Sequence, residues 1–202
     1  ISYTEENPIT MNPFRIQREE LNVEKIGFLK NLIMLIWKGS NGEVSKTEDR
    51  LIEQVITEYY EAYFVGFKGY SASQRDALHK KFLIETATQG SATDTNEEVE
   101  ARINKRIKEM EDRRKALKVK ELSFNSFYEY STQRIPYICN ENKIAGIDIS
   151  TYNYMLMDFY RGGSHERTLN ENLDSTLFDE TFIVFEIDTI KDDPLLFPLV
   201  TL

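Results

Sequence analysis

Two segments of this chain read as extended, and nearly everything between them reads as helix. Ile1 to Thr10 opens the sequence, and Phe182-Ile183-Val184-Phe185-Glu186-Ile187-Asp188 comes near its end. The four consecutive apolar residues Phe182 to Phe185 describe a central strand covered on both faces. Isolated strands are not stable in water, so the two segments make sense as neighbours in a sheet with a helical body inserted between them. The expectation is a mainly α chain: an extended segment over 1–16, a helical insertion domain over 17–175, and a core strand with the start of another element over 176–202. The chain begins at Ile1 without a methionine and finishes in the apolar run Leu195 to Leu202, which reads as a piece cut from a larger protein. The flanking strands would then belong to an α/β core of the parent.

Within the body, the helices announce themselves by spacing and caps. Val23, Ile26, Leu29, Ile33, Ile36 and Trp37 recur at intervals of three and four, and Gly39 to Gly42 mark the stop. Phe28, Leu32 and Leu35 fill the other side, which predicts a helix buried nearly all round. Ser45-Lys46-Thr47-Glu48 has the spacing of a capping box and starts a second helix that runs to about Lys68, with Leu51, Ile52, Val55, Ile56, Tyr59, Tyr63 and Phe67 on its core face. A third helix over Ser73 to Thr86 turns Leu78, Phe82 and Leu83 inward, and the small polar residues from Thr86 to Asn96 read as a loop. From Glu97 to about Lys118 a narrow stripe of Val99, Ile103, Ile107, Met110 and Leu117 predicts a long exposed helix. Ser123 to Arg134 reads as a helix ended by Pro136. Ser150 is the expected cap of a helix carrying Tyr152, Leu156, Phe159 and Tyr160 and ending at Gly162-Gly163.

Composition narrows the function classes. An apolar fraction of 41% with 12% aromatics supports a folded core, while a net charge of −9 opposes broad polyanion binding. The single cysteine, Cys139, rules out an internal disulfide and a multi-cysteine metal cluster. The longest apolar run, Leu32 to Trp37, is too short to cross a bilayer. His79 and His165 have no histidine or cysteine at metal-ligand spacing. No G-x-x-x-x-G-K-[ST] occurs, so the loop that cradles nucleotide phosphates is not in this sequence.

Particular motifs nonetheless look familiar in combination. Ile9-Thr10-Met11-Asn12-Pro13-Phe14, the Phe28 to Trp37 helix followed by the capped Thr47-Glu48 helix, and Ser123-Phe124-Asn125-Ser126-Phe127-Tyr128 occur in order. Phe159-Tyr160-Arg161-Gly162-Gly163, Phe182 to Asp192 and Leu196-Phe197-Pro198-Leu199-Val200 follow. The set resembles the TraG family of conjugative-transposon ATPases, which energise type IV secretion systems that move DNA between cells. The resemblance implies a segment between the Walker A and Walker B motifs of a P-loop ATPase. It implies ATP and Mg in the parent and no cofactor or activity in this chain alone. Its implied partners are other protomers and secretion-system proteins, at the cytoplasmic face of the membrane, without insertion by this segment.

Candidate site residues follow from both lines. Glu186 and Asp188 stand at the end of the predicted central strand, where open α/β sheets gather ligands, although a strand leaving its core would end in the same way. Arg161, Gly162, Gly163 and Arg167 could form a tight loop that offers arginines to phosphate or to a neighbouring protomer, or the glycines could simply end a helix. Lys105, Arg106, Lys108, Arg113, Arg114, Lys115, Lys118 and Lys120 form the basic stretch of the chain. No aromatic residue lies between Val99 and Leu122 to stack bases, so a solvated face laced with Glu109, Glu111 and Asp112 is preferred to a DNA-contacting helix, and no strong nucleic-acid binding is expected. An all-α protein-binding module unrelated to nucleotide hydrolysis is the alternative.

Overall fold

The computed structural model describes residues 10–89, 95–172, 188 and 190–202. The described residues are mainly helical and contain no strand. Phe182 to Ile187 and all of the opening segment except Thr10 lie outside them, as do residues 90–94 of the expected loop. The chain forms two compact units, one from Phe64–Lys118 and one from the described parts of Ile1–Tyr63 and Val119–Leu202.

The larger unit begins with α1, Val23–Lys38. Asn22 caps it by accepting from the Lys25 amide at 2.8 Å, and Gly39, at φ 73°, closes it with its own amide on the Leu35 carbonyl. Leu29, Leu32, Ile33, Met34, Ile36 and Trp37 are buried, but Val23 is 86% exposed. Burial all round therefore holds only for the second half of α1. The helix α2, Lys46–Phe64, starts at the predicted box: the Ser45 amide donates to Glu48 Oε2 at 2.9 Å and the Glu48 amide to Ser45 Oγ at 3.2 Å. It stops short of Lys68 because Gly66 and Gly69 both take positive φ, which breaks the helix.

An aromatic core gathers where α2 meets α5, Phe124–Asn142. Phe14 stacks on Phe127 at 5.0 Å and meets Tyr59 and Phe124 edge-on, all fully buried. Such ring pairs add about 0.5–1.5 kcal/mol each beyond the area they bury. Two tyrosine hydroxyls enter this core with partners. Tyr60 donates to the Phe14 carbonyl at 2.9 Å, while the Tyr59 hydroxyl lies 2.7 Å from Ser126 Oγ and accepts the Ser123 amide at 3.2 Å. Burial pushes both phenols far above their usual range.

α5 does not end at Pro136 as the sequence suggested; it runs through it. Its inward residues Phe127, Tyr130, Ser131, Arg134, Ile135, Ile138 and Cys139 continue across the proline, so packing outweighs the lost backbone hydrogen bond. The helix ends at Lys143 in the left-handed region (φ 53°), with the Ile144 amide returning to the Cys139 carbonyl. α6, Ile149–Met157, is capped by Asp148, not Ser150, through the Thr151 amide at 2.9 Å. α7, Glu166–Asn170, and α8, Leu196–Thr201, complete the unit, α8 falling on the predicted apolar run. α6 packs on α1 and α5, α7 on α5, and α8 on α1.

The smaller unit pairs α3, Ala72–Gln89, with α4, Asn96–Ala116, around Phe82, Ile103, Ile107 and Met110. α4 opens on a box in which Thr95 and Glu98 each take the other's amide. α3 continues past Thr86, where the expected loop began, to Gln89, and the Thr86 and Thr88 hydroxyls bond back to carbonyls of the preceding turn. Leu83, expected inside, is 43% exposed.

Candidate functional site

α6 gives way to a turn that carries the Arg161-Gly162-Gly163 motif. Its geometry demands both glycines. Gly162 sits at φ 80°, and a Cβ on Gly163 would fall 2.2 Å from the Asp158 carbonyl oxygen. The glycine pair thus follows the end of α6 and shapes the turn leading to α7. The turn supplies its own anions: the Gly162 amide donates to Glu166 Oε2 at 2.9 Å, the Ser164 amide to Asp158 Oδ1 at 3.2 Å, and the Gly163 amide to the Tyr160 carbonyl at 2.8 Å. The amides that would receive a phosphate are engaged within the fold.

The two arginines flank this turn, each beside a glutamate. Arg161 Nη2 is 3.4 Å from Glu129 Oε1, and Tyr160 donates its hydroxyl to that same oxygen at 2.7 Å. The hydrogen bond to Glu129 raises the Tyr160 phenol. Tyr160 packs on Tyr128 at 4.7 Å, so the pair orders the base from which the half-exposed Arg161 projects. Arg167 Nε lies 2.8 Å from Glu171 one helical turn on, and that partner raises its pKa. Arg161, Gly162 and Gly163 thus share one turn, and Arg167 stands in α7, which follows it. Asp188 stands exposed, 3.8 Å from Lys191, and Glu186 lies outside the described residues.

Sequence reasoning missed what surrounds Arg161. Tyr154 is 72% exposed and Met157 50% exposed, three residues apart on α6, and Arg161 follows in the turn beyond the helix. The signal was available: Tyr154 and Met157 drop off the Tyr152, Leu156, Phe159 stripe that defines the buried face. A groove of about 730 Å³ went unseen as well. It is lined among others by Asn12, Arg15, Lys120, Asn125, Asn170 and Asn172, which come from three distant parts of the sequence.

The basic stretch is partly consumed by the smaller unit itself. Arg106 lies 3.8 Å over the Phe82 ring and pairs with Glu85 at 2.9 Å, and Arg114 lies 4.3 Å over Phe67. Glu111, read as part of a solvated face, is buried. It accepts the Tyr70 amide at 2.9 Å and pairs with Arg75 at 2.6 Å, which anchors the segment entering α3. Among the described residues no group of three or more His, Cys, Asp or Glu could hold a metal ion, and no helix is long and apolar enough to cross a membrane. His79 Nε2 meets Glu100 at 2.6 Å, and Cys139 is a buried free thiol whose pKa burial raises.

A family model described as the TraG P-loop domain matches residues 1–68 and 68–202, the whole of the chain. No curated protein and no solved structure matches it.

Proposed function

The chain belongs to the TraG P-loop domain family, and on that premise we propose that it is the helical insertion of a conjugation ATPase and serves to contact neighbouring subunits or the secretion machinery. One observation carries this reading: Tyr154 and Met157 stand exposed on α6, and the half-exposed Arg161 follows in the turn that the two glycines hold in shape. Tyrosine, methionine and arginine are the residue types enriched in protein interfaces. The helix beneath them is fixed by Tyr152 and Leu156, both buried, so little ordering entropy remains to be lost on docking. In this reading ATP and Mg belong to parts of the parent that carry its phosphate-binding loop and acidic strand. The chain alone hydrolyses nothing. Glu186 and Asp188 would stand near nucleotide or an adjacent protomer in the assembled parent, which would work at the cytoplasmic face of the membrane. A DNA-contacting role for α4 is disfavoured because Arg106 and Arg114 already lie over phenylalanine rings.

The test uses the full-length parent. Tyr154→Asp, Met157→Asp and Arg161→Glu together should leave the melting curve nearly unchanged, since exposed substitutions shift stability by only about ±0.5 kcal/mol. Oligomer formation by analytical ultracentrifugation and ATP turnover should both fall. Unchanged assembly and turnover would refute the reading.

A further inference from the structure

We propose that α3 pairs with α3 of a second copy of this chain, antiparallel and across a two-fold axis at the height of Leu78. Only one side of α3 is used within the smaller unit. Leu78 and Phe82 pack in its core, Arg75 reaches Glu111, and Glu85 reaches Arg106. At about 3.6 residues per turn, the opposite side carries Asp76, Ala77, Lys80, Leu83 and Ile84, all exposed. Leu83 is 43% and Ile84 66% exposed, two large apolar side chains standing next to each other.

The charges on that side select a second copy as the occupant. Asp76 and Lys80 make no ion pair among the described residues. Around the helix axis Asp76 and Leu83 form one flank, Ala77 and Ile84 the other, and Lys80 lies between them. A two-fold axis normal to the plane of two antiparallel helices sets like flanks against each other and repeats every contact. With that axis at Leu78, Asp76, two residues before it, faces Lys80, two residues beyond it in the second copy. The ion pair forms twice.

The apolar residues fit the same register. Leu83 comes beside Ala72 of the second copy on one flank and Ile84 beside Ser73 on the other, so each large side chain meets a small one. A parallel pair would set Asp76 against Asp76 and Lys80 against Lys80. An axis at Leu83 would gather the large apolar residues but place Asp76 opposite positions beyond Gln89, where α3 ends. Of these arrangements, the antiparallel one at Leu78 alone answers both charges.

Sedimentation equilibrium of the chain at physiological salt should show concentration-dependent dimers. Asp76→Lys and Lys80→Asp should each weaken dimerisation by about tenfold, because each turns two attractions into two repulsions, and the two changes together should restore it. Ile84→Asp should abolish it. All these positions are exposed, so thermal melts followed by circular dichroism should stay nearly unchanged. Under oxidising conditions Ala77→Cys should link two copies, its equivalents lying about 3 Å apart along the helix axis, while Leu83→Cys, about 15 Å apart, should not. The native Cys139 is buried and gives little background. A chain that stays monomeric, single reversals without effect, a double change that fails to restore the dimer, or linkage through Leu83→Cys in place of Ala77→Cys would overturn the proposal. The readouts involve neither the α6 surface nor ATP turnover, so their failure is separate from any failure of the subunit-contact reading.

Discussion

Arg134 donates from Nε to Glu58 Oε2 at 2.6 Å, joining α5 to α2 through two side chains that are both buried. Burial lowers the arginine pKa, but the Glu58 carboxylate more than offsets this and the net shift is upward. Gln54 donates to the other Glu58 oxygen at 3.0 Å, and Glu141 stands 3.6 Å from Arg134 Nη1. Removing one partner leaves a buried charge uncompensated, which costs about 3–5 kcal/mol. Arg134→Met should therefore destabilise by that order in urea denaturation. Arg134→Met with Glu58→Leu should cost clearly less than the single change. Equal losses in the two variants would mean that the pair is not a coupled unit.

Pro136 makes the opposite case, a residue whose removal should help. A proline inside a helix costs roughly 3 kcal/mol through its missing amide and its clash with the preceding turn. Since α5 is helical on both sides of it, Pro136→Ala should raise the denaturation midpoint. A fall in stability would show that the proline sets a bend on which the packing of Ile135 and Ile138 depends.

Glu48 predicts a pH dependence. Burial raises its carboxyl pKa, but the Lys38 ammonium at 2.5 Å and the Ser45 amide and hydroxyl outweigh that, and the net shift is downward. A carboxyl that titrates lower when folded contributes stability above its unfolded pKa and loses it as pH falls through the folded value. Stability should therefore decline on acidification below about pH 4.3, the ordinary glutamate value, and Glu48→Gln should flatten that decline. Identical slopes for the two proteins would exclude Glu48 as a source.

Gly163 and Gly162 should respond differently to alanine. At Gly163 the new Cβ meets backbone at 2.2 Å and the turn must open. At Gly162 nothing lies within 4 Å, so the cost is the left-handed backbone alone, about 1–2 kcal/mol. Melting curves should rank Gly163→Ala as the more damaging, and the reverse order would place the constraint elsewhere.

Local signals carried much of the fold into the sequence. Ser45 with Glu48, and Gly39, marked their helix ends correctly because a cap is a contact between residues three or four apart. Lys68 and Pro136 misplaced two ends for opposite reasons: glycines stopped α2 early, while tertiary packing carried α5 onward. Glu111 was misread because its partners Tyr70 and Arg75 lie far away in sequence. The same limit hid the groove, assembled from residues near 12, 120 and 170. The glycine turn was legible as a motif, but the capture of its amides by Asp158 and Glu166 was not, because either acid reads equally well as a surface charge.

The hydroxyl of Tyr59, bonded at Ser123 and Ser126, has a consequence for the order in which the chain folds. The larger unit is discontinuous, and this contact closes it across the whole of Phe64–Lys118. Bringing the ends of so long a loop together carries an entropy cost that grows with the free chain between them. The smaller unit has its own core around Phe82, Ile103, Ile107 and Met110, built from the neighbours α3 and α4. Such local contacts form fast, so α3 and α4 should fold first and shorten the loose chain that must be spanned. The kinetics of the aromatic core around Phe14 and Tyr59 should then depend on residues that take no part in it.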